Sequence, residues 1–182
     1  MKVGEISFKR RYSAAQIIVD LASLLVLGYI GYLIFICASE TESILGYIRE
    51  DSGISPPDWR PLLIYVFIGA AVFAFSFFLI FRNRKMPKKL FITENNVSKY
   101  CNITDTCISC VRLMTLLLLG EICYLHAAAI CMLDAGFSIQ LIIDPVIIIA
   151  VIIFTKMRLE AISETERENQ KKKNKKREII ED

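Results

Sequence analysis

Four long apolar stretches dominate this chain: residues 14–37, 61–81, 111–133 and 139–157. At about 1.5 Å per residue, each can cover the ~30 Å hydrocarbon core of a bilayer as a helix. Lipid offers no partner for backbone N–H and C=O groups, so uninterrupted apolar runs of this length must satisfy them internally as helices. Four spans and their connections use most of the 182 residues, which leaves no room for an independent globular domain. The sequence therefore predicts an all-α integral membrane protein: a four-helix transmembrane domain over 1–159 and a charged tail over 160–182. In the fourth stretch, Pro145–Met157 alone is too short to cross. Residues 139–143 must join it, which draws Asp144 and Pro145 into the membrane and predicts a kink there.

Charge sets the expected orientation. Of the 22 Lys and Arg residues, only Arg49 and Arg60 fall between the first and second stretches. The others lie in the N-terminal arm, between the second and third stretches, at Arg112, or from Lys156 onward. The positive-inside rule then places both termini and the Arg82–Thr106 loop in the cytoplasm of a cell with a plasma or inner membrane. Net charge of +3 says nothing in favour of nucleic acid, because the basic residues are accounted for by topology. The first stretch reads as a retained span: it is too long for the apolar core of a cleaved signal and carries Asp20.

Between the spans, the N-terminal arm predicts an interfacial turn around Phe8 and Tyr12. Ile44–Ile48 predicts one or two helical turns on the membrane surface before Ser55-Pro56-Pro57. Trp59 stands where an interfacial aromatic belongs, and Pro61 suits the first turn of the second span. Leu90–Thr93 and Val97–Tyr100, on either side of Glu94-Asn95-Asn96, predict a short β-hairpin. Small residues, Gly28 and Gly31 in span one and Gly69, Ala70, Ala71 and Ala74 in span two, predict close helix approach.

Five ionisable residues fall within or beside the spans: Asp20, Arg112, Glu121, His126 and Asp144. Each costs on the order of 2.5–3.5 kcal/mol at mid-membrane on insertion scales, so each needs a partner or a role. Depth pairs Asp20 with Arg112 and His126 with Asp144, leaving Glu121 near the midplane without a basic partner. At about 100° per residue, Arg112 and His126 share one side of span three and Glu121 faces the other. Span three is thus expected to be the central helix. Glu121 is expected to meet a different helix, Ser76 of span two, or a second subunit.

Cys107 and Cys110 form a C-x-x-C at the expected start of span three, where a helix N-terminus makes a thiol reactive. Four-helix membrane thiol oxidoreductases have this size and span count, but their working cysteines face the oxidising side. Adding Cys101 gives three thiols with no nearby His, short of a zinc site. Cys37 and Cys131 both lie near the external face, within reach of a bridge. No phosphate loop, nucleophile elbow or His-Glu-x-x-His occurs. No cofactor, metal or catalytic residue is assigned. The leading expectation is a non-enzymatic membrane subunit that anchors or assembles with a cytosolic or membrane partner, through the Arg82–Thr106 loop or the basic Lys171–Arg177 tail. The alternatives are a small ion- or proton-coupled transporter or oligomeric channel, and a membrane thiol oxidoreductase. The bilayer itself and a second copy of the chain complete the expected partners.

Overall fold

The computed structural model describes residues 2–3, 6–7, 12–48, 58–82, 90–131, 136 and 138–181. It contains four helices long and apolar enough to cross a membrane, consistent with a multi-pass membrane protein. Helix α1 spans Ala14–Ile48, α2 Leu63–Phe81, α3 Val97–Ile130 and α4 Gln140–Glu181. Among the described residues, extended structure is confined to a minimal antiparallel pair, β1 (Lys2–Val3) with β2 (Ile6–Ser7). The turn expected around Phe8 and Tyr12 is not formed at Tyr12, and Phe8 lies outside the described residues.

Two helix starts have a local cause. Ser13 and Gln16 form a capping box: the Gln16 N–H donates to Ser13 Oγ at 3.2 Å, and the Ser13 N–H donates to Gln16 Oε1 at 3.2 Å. Two backbone donors that would otherwise be orphaned at the membrane edge are thereby satisfied. Helix α2 is entered through a 3-10 turn, Arg60–Leu62, that carries Pro61 where no intrahelical N–H is needed. Pro145 sits in the second turn of α4, and the helix continues through it.

Two boundaries differ from the sequence reading. Ile44–Ile48 is not a separate surface turn but the end of α1, which at 35 residues is about 50 Å long. Val97–Tyr100 is not a strand: it is the first turn of α3, so no hairpin forms with Leu90–Thr93. The tail beyond Met157 is one unbroken continuation of α4. Helices α3 and α4 therefore extend together past the membrane-length core at the end that carries Ser13.

There the segment 90–96 is strapped onto α4. The Phe91 N–H donates to Ser163 Oγ at 2.7 Å and Thr93 Oγ1 donates to Glu166 Oε1 at 2.9 Å. Asn96 holds the strap's shape, accepting from the Thr93 N–H at 2.8 Å and donating to the Phe91 carbonyl at 2.9 Å. Ile92, Val97 and Cys101 form a small apolar cluster beneath it. The opposite end of the bundle is closed by Ile30, Ile34, Cys37, Leu62, Cys123 and Ala127, with Trp59 packed against them.

Helix α3 is central and packs against the other three helices. Nine of its ten buried residues, Val97, Cys101, Asp105, Ser109, Arg112, Leu116, Gly120, Cys123 and Ala127, recur every three or four positions along its length. That spacing is one helical face. Most are small, which lets backbones approach closely where no hydrophobic effect drives helices together. Leu25, Phe35, Phe67 and Phe154 point outward, as lipid-facing residues do.

Of the expected small-residue contacts, Gly69 is real and Gly28 and Gly31 are not. A Cβ on Gly69 would meet Leu27 Cδ1 at 2.8 Å and Leu119 Cδ2 at 3.4 Å, whereas nothing lies within 4 Å of one on Gly28 or Gly31. Ala70, Ala71 and Ala74 are exposed. Gly69→Ile should therefore destabilise the protein by about 1–3 kcal/mol through overpacking, and Gly28→Ile should be near neutral. Thermal unfolding of both variants in one detergent checks this; equal losses would mean that α2 does not pack through Gly69.

Candidate functional site

Two polar centres lie between the helices, one buried and one opening to the surface, and they differ in kind. The first is built on Arg112, which is 2% exposed. Its Nη2 donates to Asp20 Oδ1 in an ion pair, as depth alone predicts. Its Nε donates to Ser23 Oγ at 3.3 Å and its Nη1 to Ser76 Oγ at 3.2 Å. Ser109 donates to the same Asp20 oxygen at 3.1 Å. The guanidinium carbon stands 4.6 Å from the Phe73 ring centroid and 5.0 Å from that of Phe77. One arginine on α3 is thus tied to α1 by Asp20 and Ser23 and to α2 by Ser76 and two aromatic faces. The guanidinium's five fixed donors suit such a junction, and its weak hydration favours it over lysine.

The sequence reading missed Ser23, Ser109 and the aromatic contacts. Their signal was spacing: Ser23 is three residues from Asp20 and Ser109 three from Arg112, so each shares a helix face with its charged neighbour. Ser76 is used here and not by Glu121; its own hydroxyl donates to the Phe73 carbonyl at 2.7 Å.

The second centre is a cavity of about 470 Å³ between α1, α3 and α4, lined by Leu25, Val26, Tyr29, Leu117, Gly120, Glu121, Gln140 and Asp144. Glu121 and Asp144, the two carboxyls expected to have different surroundings, face one space. Neither makes a hydrogen bond or ion pair with any described residue, and Asp144 is 8% exposed. None of the lining residues is Lys or Arg. Gln140 joins because it lies four residues before Asp144, on the same face.

His126 does not reach Asp144. Its Nδ1 lies 3.2 Å from the Tyr65 hydroxyl of α2, and the rings meet edge-on at 88°. The physical reason is phase: Glu121 and His126 are about 140° apart on α3, so His126 looks toward α2 while the α4 side belongs to Glu121.

The thiols separate in the same way. Cys107 and Cys110 share a face of α3 and line a second cavity of about 490 Å³ with Ser13, Val151, Phe154 and Arg158. Because α3 begins at Val97, they sit about three turns inside the helix. The field of a helix N-terminus falls off within its first turn, so the activation expected for them does not apply. Among the described residues, no group of three or more His, Cys, Asp or Glu is placed to hold a metal ion. At the far end, Cys37 Sγ and Cys131 Sγ stand 3.5 Å apart, both as free thiols. Comparison with protein-family models, with curated proteins and with solved structures finds no match.

The arginine junction generates a double-mutant test. Asp20→Asn and Arg112→Gln each leave a polar partner stranded in the bundle, at a cost of about 3–5 kcal/mol for a fully buried pair and less in lipid. The double variant should recover at least about 0.5 kcal/mol relative to additivity. Chemical unfolding in mixed micelles measures all four proteins, and strict additivity would show that the two side chains do not meet.

Proposed function

We propose that the chain is a small non-enzymatic membrane subunit, with both termini and the residues between α2 and α3 in the cytoplasm, that anchors a cytosolic partner. The observation that supports this most is the strap. Ser163 and Glu166 hold residues 91–93 against α4 beyond the membrane-length core, so the described end of the loop and the start of the tail, two segments expected to act separately, form one arm. Holding α4 in a set direction presents its charged faces at a defined distance from the bilayer, the geometry a docking element requires.

Charge and reach favour a protein over lipid as the partner. Lys171, Lys172 and Lys173 are exposed on the arm. They begin 14 residues past Met157, which a straight helix carries about 20 Å outward, well beyond the ~8 Å Debye length. A basic cluster held there meets acidic protein surfaces more readily than headgroups.

A second reading, a small cation-coupled transporter, draws on the Glu121–Asp144 cavity. The thiol-enzyme reading has less support now that Cys107 and Cys110 lie inside a helix and not at its start.

A photoreactive residue at Lys172 in intact cells tests the first reading. It should capture one discrete acidic protein, and reversal of charge at Lys171 and Lys173 should abolish the adduct; the same probe at lipid-facing Leu25 should not yield it. In the same cells, membrane-impermeant maleimide should label Ser52→Cys and spare Lys88→Cys. Labelling of Lys88→Cys from outside, or identical adducts from both probe positions, would contradict the proposal.

A further inference from the structure

We propose that the Glu121–Asp144 cavity is a binding site for an organic cation, an amine or quaternary ammonium with apolar substituents. The inference begins from charge. Arg112 is committed to Asp20, His126 faces Tyr65, and no Lys or Arg is among the residues that line the cavity. Asp144 is more than nine-tenths buried, makes no hydrogen bond or ion pair among the described residues, and lines the cavity. A carboxylate in such a place is costly until a positive charge reaches it. Here two carboxyls face the same space with no Lys or Arg among the described residues that line it, so a cation entering from outside would meet both without an internal competitor.

Size and lining select the kind of cation. About 470 Å³ lies within the ~300–1,000 Å³ range of small-molecule sites and far exceeds the coordination shell of a bare ion. Hard cations such as Ca²⁺ require six to eight oxygen ligands in a tight shell, and among the described residues no third acidic residue converges on this pair. The other lining residues are mostly apolar: Val26, Leu117 and Tyr29, with the outward-turned Leu25 at the edge. An aromatic face and aliphatic walls around a carboxylate pair suit a cation whose charge is wrapped in carbon. Gln140 offers one neutral hydrogen-bonding group at the same site.

The site stands apart from the arm and does not require transport. Binding without flux in liposomes would retain the site and remove only the transporter reading.

The test is calorimetric titration of the full chain in lipid nanodiscs with benzyltrimethylammonium, with its uncharged carbon isostere neopentylbenzene, and with Na⁺ and Ca²⁺. The ammonium ion should bind saturably at one site per chain and the isostere should not. Asp144→Asn and Glu121→Gln should each weaken binding about tenfold or more. The exposed arm variant Glu160→Gln should bind as the parent does. Leu117→Trp adds bulk at the cavity wall and keeps both carboxyls, so it should weaken binding even if a carboxyl variant fails to fold. No saturable binding of the ammonium ion, equal binding of the isostere, unchanged affinity in Leu117→Trp, or displacement by equimolar Na⁺ or Ca²⁺ would overturn the proposal.

Discussion

Arg112 is a charge that cannot leave. An arginine at a helix end in lipid can extend toward the headgroups, but Arg112 is 2% exposed and its donors turn inward to Asp20, Ser23 and Ser76. Those acceptors belong to α1 and α2, so any sliding or rotation of either helix against α3 strands a donor. In a bundle whose outer faces are as apolar as the lipid around them, packing alone gives little preference for one register over another. The arginine junction supplies that preference, and the regular small-residue face of α3 carries the same register along the rest of the helix.

With α1, α2 and α3 fixed in this way, α4 is the element with latitude. It contacts α3 and turns most of its membrane-length surface outward. Both unassigned features of the molecule lie on it: Asp144 at one end, facing Glu121 across a cavity, and the strapped, charged arm at the other. A single unbroken helix connects the two. Occupancy of the cavity and attachment at the arm would therefore act on the same body, which gives the two proposed activities a common mechanical element.

The spans, their order and the Asp20–Arg112 pair were legible in the sequence because they rest on strong one-dimensional signals: long apolar runs, and opposite charges at equal depth. The His126–Asp144 pairing failed because depth was used where phase decides; the 140° between Glu121 and His126 already assigned them to different neighbours. The start of α3 was missed because residues 97–110 are too polar to register as a span. Yet Val97, Cys101, Asp105 and Ser109 recur every four residues, which is helical and not strand spacing. The strap was not legible at all. The Phe91–Ser163 bond joins residues 72 apart, and nothing local in either segment announces it.

The central claim is that the arginine junction fixes how α1 lies on α3, and Cys37 and Cys131 offer a distant gauge of it. They sit 3.5 Å apart at the end of the bundle away from Arg112. Mild catalysed oxidation in membranes, with the linked peptides quantified by mass spectrometry, measures that register directly. The account predicts near-complete Cys37–Cys131 linkage in the parent protein and a marked fall in Arg112→Leu, with other cysteine pairs appearing in its place. Equal linkage in both proteins would show that the helices hold their register without Arg112, and would contradict the account.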